Sequence, residues 1–126
     1  MSVAGLRLRV GRRGAGRPLL LITGIGAHLD MWAPFLRLAG DRELIAFDAP
    51  GTGLSQRSGR PLRMNDLAGI VRELLDELRL ERVDVLGYSW GGALAQELAR
   101  RAPDRVRRLV LCATSPGLGG SPPPNE

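Results

Sequence analysis

Five residues near the middle of the chain, Gly87–Tyr88–Ser89–Trp90–Gly91, have the spacing G-x-S-x-G. In this pattern a serine occupies a sharp turn between a strand and a helix, with its hydroxyl exposed for attack on a carbonyl carbon. The glycines Gly87, Gly91 and Gly92 leave room for neighbouring backbone to pass close to the turn. The pattern predicts that Ser89 is a catalytic nucleophile. The alternative is an ordinary strand-to-helix turn.

A nucleophilic serine needs hydrogen-bond donors for the negative charge that develops on the carbonyl oxygen. A helix predicted to begin near Trp90 directs its free N–H groups and positive dipole end at Ser89, so the Trp90 amide is predicted as one donor. The second donor is predicted at the Ile25 amide, in a glycine loop that follows an apolar strand. Gly24 and Gly26 shape this loop, or alternatively serve only as turn residues.

His28 is the only histidine, and a serine hydrolase needs a histidine as general base. In the arrangement typical of this turn, however, the acid and the base follow the nucleophile along the chain. His28 precedes Ser89, so a position in a loop or facing a cap is predicted, with a role as base as the alternative. Asp48 is predicted to brace a loop at a strand end, and Asp84, just before the turn, is a weaker candidate for the acid.

Four continuous apolar runs predict strands that are covered on both faces of a sheet. They lie at 18–23, 43–47, 83–88 and 106–112. The segment from Leu6 to Val10 alternates with period two before several glycines, which predicts a half-buried edge strand and a turn. Cys112, the only cysteine, cannot form an intramolecular disulfide and is predicted to be a core residue.

The segments between these strands have helical patterns or helix-starting residues. Helices are predicted from Asn65 or Asp66 through Leu78, from Trp90 to Ala102, and over 30–39. Strands that alternate with helices predict the α/β class, with a mostly parallel sheet and flanking helices.

Charge and composition narrow the classes of partner. The net charge of +5 comes from five arginines within the first 18 residues, and the remaining charges balance. Without interleaved aromatic side chains for stacking, no nucleic-acid partner is predicted. No run approaches the ~20 apolar residues of a membrane span, and no signal peptide is evident, so a cytoplasmic location is predicted. The loop at Gly24 does not complete a dinucleotide fingerprint, because Leu29 occupies the third glycine position.

Four segments, in order, resemble the α/β-hydrolase superfamily. They are 20–26, 45–55, 85–92 and 108–111. Within that superfamily, the segments 24–27 and 89–96 look like the intracellular poly(3-hydroxyalkanoate) depolymerases. Thr23 departs from the histidine that most members have before the loop glycine, which should alter the hydrogen bonds of the loop without removing the Ile25 amide.

The resemblance implies an eight-stranded sheet, a cap inserted after the sixth strand, and an acid and a histidine after later strands. Residues 1–114 would then be the N-terminal part of the hydrolase domain, and 115–126 a Pro/Gly-rich tail that leads to the cap. On this reading the catalytic acid and histidine lie outside the 126 residues, and the chain alone is expected to be inactive.

The activity implied by the resemblance is hydrolysis of small-molecule or polymeric carboxylic esters, without a cofactor or a metal. Hydrolysis of carbon–carbon bonds and cofactor-free peroxidation, as in haloperoxidases, are alternatives that use the same nucleophile. A non-catalytic truncated fragment is an alternative of a different class.

Overall fold

A computed structural model describes residues 1–23, 32–33, 40–51 and 54–112. Within these ranges the chain forms seven strands and two helices. They are β1 (Ser2–Val3), β2 (Leu6–Arg7), β3 (Val10–Arg13), β4 (Arg17–Ile22), β5 (Arg42–Phe47), α1 (Met64–Glu77), β6 (Val83–Tyr88), α2 (Trp90–Arg101) and β7 (Val106–Cys112).

Five of the strands form one sheet in the order β3-β5-β4-β6-β7. Strands β4, β5, β6 and β7 are parallel to one another, and β3 pairs antiparallel with β5. Strands β1 and β2 form a separate two-stranded ribbon. The register pairs Ile22 with Phe47 and with Gly87, and Tyr88 with Cys112. The carboxyl ends of the four parallel strands therefore meet at one edge, and the predicted α/β class with a mostly parallel sheet is confirmed.

Both faces of the central strands are covered, as their continuous apolar sequences require. On one face, alternate side chains of the sheet pack against α1 and α2. This cluster includes Leu20, Ile22, Ile45, Phe47, Val83, Val85, Ala68, Val71, Leu74, Leu75, Leu94, Ala95 and Leu98. On the other face Leu19, Leu21, Leu44 and Ala46 pack with Trp32. The sheet is thus a rigid platform for whatever lies at its carboxyl edge.

The N-terminal prediction was wrong in its bounds. Instead of one strand from Leu6 to Val10, β2 ends at Arg7 and β3 begins at Val10. The backbone between them is bonded elsewhere: Leu8 N–H donates to the Met1 carbonyl at 2.8 Å, and Arg9 N–H donates to the Ser55 hydroxyl at 2.8 Å. Because the Leu8 and Arg9 N–H groups make these bonds, they do not pair with a neighbouring strand.

Two further details differ from the sequence predictions. Helix α1 begins at Met64 rather than at Asn65 or Asp66, because the Asp66 carboxylate accepts the Arg63 N–H at 2.9 Å and so caps the helix from within its first turn. Cys112 is half-buried rather than a core residue, since β7 is an edge strand of the described sheet. Most of the helix predicted over 30–39 lies outside the described residues.

Candidate active site

Ser89 forms the turn between β6 and α2 at the carboxyl edge of the sheet. Its backbone has φ 57° and ψ −122°, a conformation that residues other than glycine rarely adopt. The Ser89 N–H donates to the Cys112 carbonyl, and its carbonyl accepts the Gly92 N–H, both at 2.9 Å. Neighbouring structure therefore holds the strained turn from both sides, and residue 89 is exposed to solvent.

The glycines around Ser89 bring three pieces of backbone together. A Cβ at Gly87 would lie 2.6 Å from the Gly91 carbonyl oxygen and 2.7 Å from the Gly92 Cα. A Cβ at Gly91 would lie 2.5 Å from the Thr23 carbonyl oxygen and would also meet that of Ile22. All three distances are shorter than a Cβ atom tolerates, so the start of α2 can pack against β6 and the end of β4 only if residues 87 and 91 have no side chain.

Of the two predicted oxyanion donors, Trp90 lies within the described residues and Ile25 does not. Trp90 is the first residue of α2, whose opening N–H groups have no partner within the helix. Ile25, Gly24, Gly26 and His28 lie outside the described residues. Thr23, the residue before that loop, is buried, and its carbonyl lies against Gly91. The end of β4 therefore lies beside the start of α2, and a donor role of the Ile25 amide stays a prediction.

A cleft of about 490 Å³ opens beside the start of α2. It is lined by Thr23, Ala49, Pro50, Gly51, Arg57, Ser58, Gly59, Arg60, Pro61, Leu62, Leu67 and Trp90. Ser89 is not a lining residue, but Trp90 directly follows it in the chain. Arg57 and Arg60 were not predicted as site residues, because the polar segment 55–61 has no periodicity that would indicate an irregular segment facing a cleft.

Asp48, fully buried at the end of β5, braces the loop that follows. Its carboxylate accepts the Leu54 N–H at 3.0 Å and lies 3.7 Å from the Arg9 guanidinium. Its carbonyl accepts the Ser55 hydroxyl at 2.5 Å. The prediction that Asp48 braces a loop at a strand end is confirmed.

Asp84 lies near the opposite, amino end of the sheet. Arg107 donates to both of its carboxylate oxygens at 3.0 Å, and Arg42 donates to one of them at 2.6 Å. Burial raises the pKa of Asp84, but the hydrogen bonds from Arg107 and Arg42 outweigh it and bring that pKa below the usual 3.8. At ~3.3 Å per strand residue, Asp84 is roughly 16 Å from Ser89. It is therefore a structural ion-pair residue, not a candidate catalytic acid.

The described residues hold no candidate metal site and no candidate membrane-spanning helix. No group of His, Cys, Asp and Glu side chains in this part of the chain could hold a metal ion. Neither helix there is long and apolar enough to cross a membrane.

Known proteins are similar to this chain in sequence and in fold. A poly(3-hydroxyalkanoate) depolymerase of Ectopseudomonas oleovorans is 48% identical over 101 residues, which cover 79% of this chain and 36% of that protein. A 2-hydroxymuconate semialdehyde hydrolase of Pseudomonas sp. strain CF600 is 38% identical over 121 residues, covering 89% of this chain and 41% of that protein. The chain thus spans less than half the length of either relative.

The crystal structure of a hydrolase from Pseudomonas aeruginosa PA01 superposes with a TM-score of 0.86 at 37% sequence identity. The match covers 91% of this chain and 45% of that one. Residues 17–126 match a protein family whose description is "alpha/beta hydrolase fold". That match takes in the five-stranded sheet except its antiparallel edge, both helices and the Ser89 turn, and the chain belongs to the α/β-hydrolase family.

Proposed function

We propose that this chain supplies the nucleophile and the oxyanion donors of a serine hydrolase that cleaves carboxylic esters. The backbone of Ser89 is the observation that carries the proposal. A positive φ at a residue other than glycine, held by hydrogen bonds at both its N–H and its carbonyl, is a costly conformation. It places an exposed serine between a buried strand and the positive end of a helix, where a nucleophile can attack an acyl group.

The reaction follows from this position. The Ser89 hydroxyl oxygen attacks the ester carbonyl carbon and gives its proton to a general base. The resulting oxyanion accepts hydrogen bonds from the Trp90 and Ile25 amides. The intermediate then expels the alcohol, which takes up the proton from the base, and a water molecule hydrolyses the acyl-serine. We assign the base and its acid partner to residues that follow Ser89 beyond this chain.

Ester hydrolysis is favoured over carbon–carbon bond hydrolysis by the degree of similarity. The relative named as a depolymerase is more similar to this chain than the one named as a semialdehyde hydrolase. Poly(3-hydroxyalkanoates) are polyesters, so an acyl ester is the substrate class that we assign. Carbon–carbon hydrolysis is the second candidate, supported by the semialdehyde hydrolase relative.

A fluorophosphonate probe tests the nucleophile, because it reacts covalently with activated serines. The probe is applied to the 126-residue chain and to a gene product that continues past Glu126. We expect mass spectrometry to locate the label on Ser89 in the longer product, and labelling to be lost in Ser89→Ala. Ser2→Ala, which alters an exposed serine in β1, is the matched control and should label normally. Labelling that survives Ser89→Ala would exclude Ser89 as the nucleophile.

Comparison of p-nitrophenyl butyrate with a carbon–carbon hydrolase substrate then separates the two candidate reactions. We expect the longer gene product to hydrolyse the ester much faster than a 2-hydroxy-6-oxo-dienoate. The reverse preference would replace the ester assignment and leave the role of Ser89 intact.

A further inference from the structure

The cleft beside Trp90 combines an apolar wall with cationic side chains. Its apolar lining residues are Ala49, Pro50, Pro61, Leu62, Leu67 and Trp90. Two arginines, Arg57 and Arg60, also line it, whereas none of the described lining residues is acidic. A surface of this composition favours a ligand with an apolar chain and a negative charge.

The backbone that leads to Arg57 is fixed by three hydrogen bonds of Gln56. Its N–H donates to the Arg7 carbonyl at 2.7 Å, and its side-chain oxygen accepts the Arg7 N–H at 2.9 Å. Its carbonyl accepts the Gly51 N–H at 3.0 Å, which ties the segment to the other wall of the cleft. Arg57 therefore extends from an ordered base, which lowers the entropy cost of using it to bind a ligand.

The two arginines differ in their ionic partners. Arg60 donates to the Asp66 carboxylate at 3.4 Å, and that carboxylate also accepts the Arg63 N–H. Within the described part of the chain, Arg57 has neither an ion pair nor a hydrogen bond from its side chain. This contrasts with Arg42 and Arg107, which are held by Asp84. Among the described lining residues, Arg57 is thus the cation whose charge is available to a ligand.

We propose that this cleft binds the carboxylate end of an amphipathic ester, and that Arg57 is the principal residue that binds this carboxylate. A guanidinium donates two parallel hydrogen bonds to a carboxylate, and the apolar wall accommodates the intervening methylene groups. The ester end of such a molecule extends towards Ser89, which is adjacent to Trp90. The inference deepens the proposed function: it assigns the substrate class as esters whose acyl chain carries a distal carboxylate.

Binding of two closely related ligands tests the inference apart from catalysis. Monomethyl adipate has one ester and one carboxylate, whereas in dimethyl adipate the carboxylate is replaced by a second neutral ester. Both are titrated into protein that carries Ser89→Ala, which prevents hydrolysis. We expect the monoester to bind about tenfold more tightly than the diester, as for a partly desolvated ion pair, and this preference to shrink at high salt. The indole signal of Trp90, assigned with Trp90→Phe, should shift on binding.

Variants of the cleft arginine complete the test. Arg57→Gln should remove most of the tenfold preference, and Arg57→Lys should retain part of it. Arg72→Gln, which removes an exposed arginine of α1 outside the cleft, is the matched control and should bind as before. Equal affinity for the two ligands, no binding of either, or an unchanged preference in Arg57→Gln would each overturn the inference. None of these outcomes alters fluorophosphonate labelling of Ser89, so failure of the proposed function would be seen separately.

Discussion

The Asp84 cluster and the Ser89 turn lie at opposite ends of the parallel strands and differ in what their polar groups contact. At the amino end, the buried Asp84 carboxylate accepts hydrogen bonds from Arg42 of β5 and Arg107 of β7, so one ion-pair cluster joins β6 to its neighbour β7 and, across β4, to β5. At the carboxyl end, Ser89 has a strained backbone and an exposed side chain, and Arg57 lines a cleft without an ionic partner in the described part of the chain.

The Asp84 cluster stabilises the sheet, whereas Ser89 and Arg57 are available to react with a ligand or to bind it. Charges that neutralise one another add to cohesion and leave nothing for a ligand to bind. A strained turn carries a cost in free energy, and such costs concentrate at functional sites. Ligands of open α/β sheets bind outside the carboxyl ends of the strands, which agrees with this division.

The largest expected effect is on catalysis at the carboxyl end. In a gene product that continues past Glu126, Ser89→Ala should lower kcat for p-nitrophenyl butyrate by about a million-fold, because loss of a nucleophile leaves only oxyanion and binding contributions. The melting temperature should hardly change. The 126-residue chain should turn over the ester poorly or not at all. Robust turnover by this short chain that disappears in His28→Ala would instead identify His28 as the base.

The next largest effect concerns the contact between α2 and β4. Gly91→Ala should lower the free energy of unfolding by about 3 kcal/mol, because its methyl group would overlap the carbonyl oxygens of Ile22 and Thr23. Urea titration measures the change. Gly69→Ala is the matched control: in α1 its new Cβ meets open space, so a gain of about 0.5–1 kcal/mol is expected. Equal effects of the two substitutions would refute the close packing at Gly91.

The amino end can be weakened by removing its shared carboxylate. Asp84→Asn should lower the free energy of unfolding by about 2 kcal/mol at pH 7, less than for a fully buried pair because both arginines are about one-third exposed. Asp104→Asn, at an exposed turn position, should change little.

The effect of Asp84→Asn should also depend on pH. Because the folded-state pKa of Asp84 lies below 3.8, its stabilisation is fully present above that pH and is lost as the pH falls through the folded-state pKa. The stabilities of Asp84→Asn and the unaltered chain should therefore converge in acid. A difference that stays constant down to pH 2 would show that the carboxylate charge is not responsible.

The smallest predicted effect is relief of strain at Ser89. Ser89→Gly should raise the free energy of unfolding by about 1 kcal/mol, since glycine adopts φ 57° without the clash of a Cβ. Ser89→Ala retains the Cβ and should give no comparable gain. If glycine stabilises no more than alanine, the turn costs too little to single out this position.

The sequence predicted the central architecture and the position of the Ser89 turn because both depend on local pattern. Continuous apolar runs are needed for strands covered on both faces, and close backbone approach at Gly87 and Gly91 excludes a side chain. The partners of Asp84 were not predictable, since Arg42 and Arg107 reach it from other strands. The break between β2 and β3 was missed for the same reason: Arg9 donates to Ser55, far along the chain.

The hydrogen bonds of Arg7 and Arg9 to Gln56 and Ser55 also join two segments that are far apart in the sequence. Separation of these two segments breaks all three bonds together, so the Arg7, Arg9 and Gln56 amides belong to one cooperative opening unit. In hydrogen-exchange terms, protection of the cleft wall is tied to the N-terminal segment that holds Arg7 and Arg9. Removal of the first nine residues would shorten the exchange lifetime of the Gln56 amide, although no atom of β4, β6 or α2 had been changed.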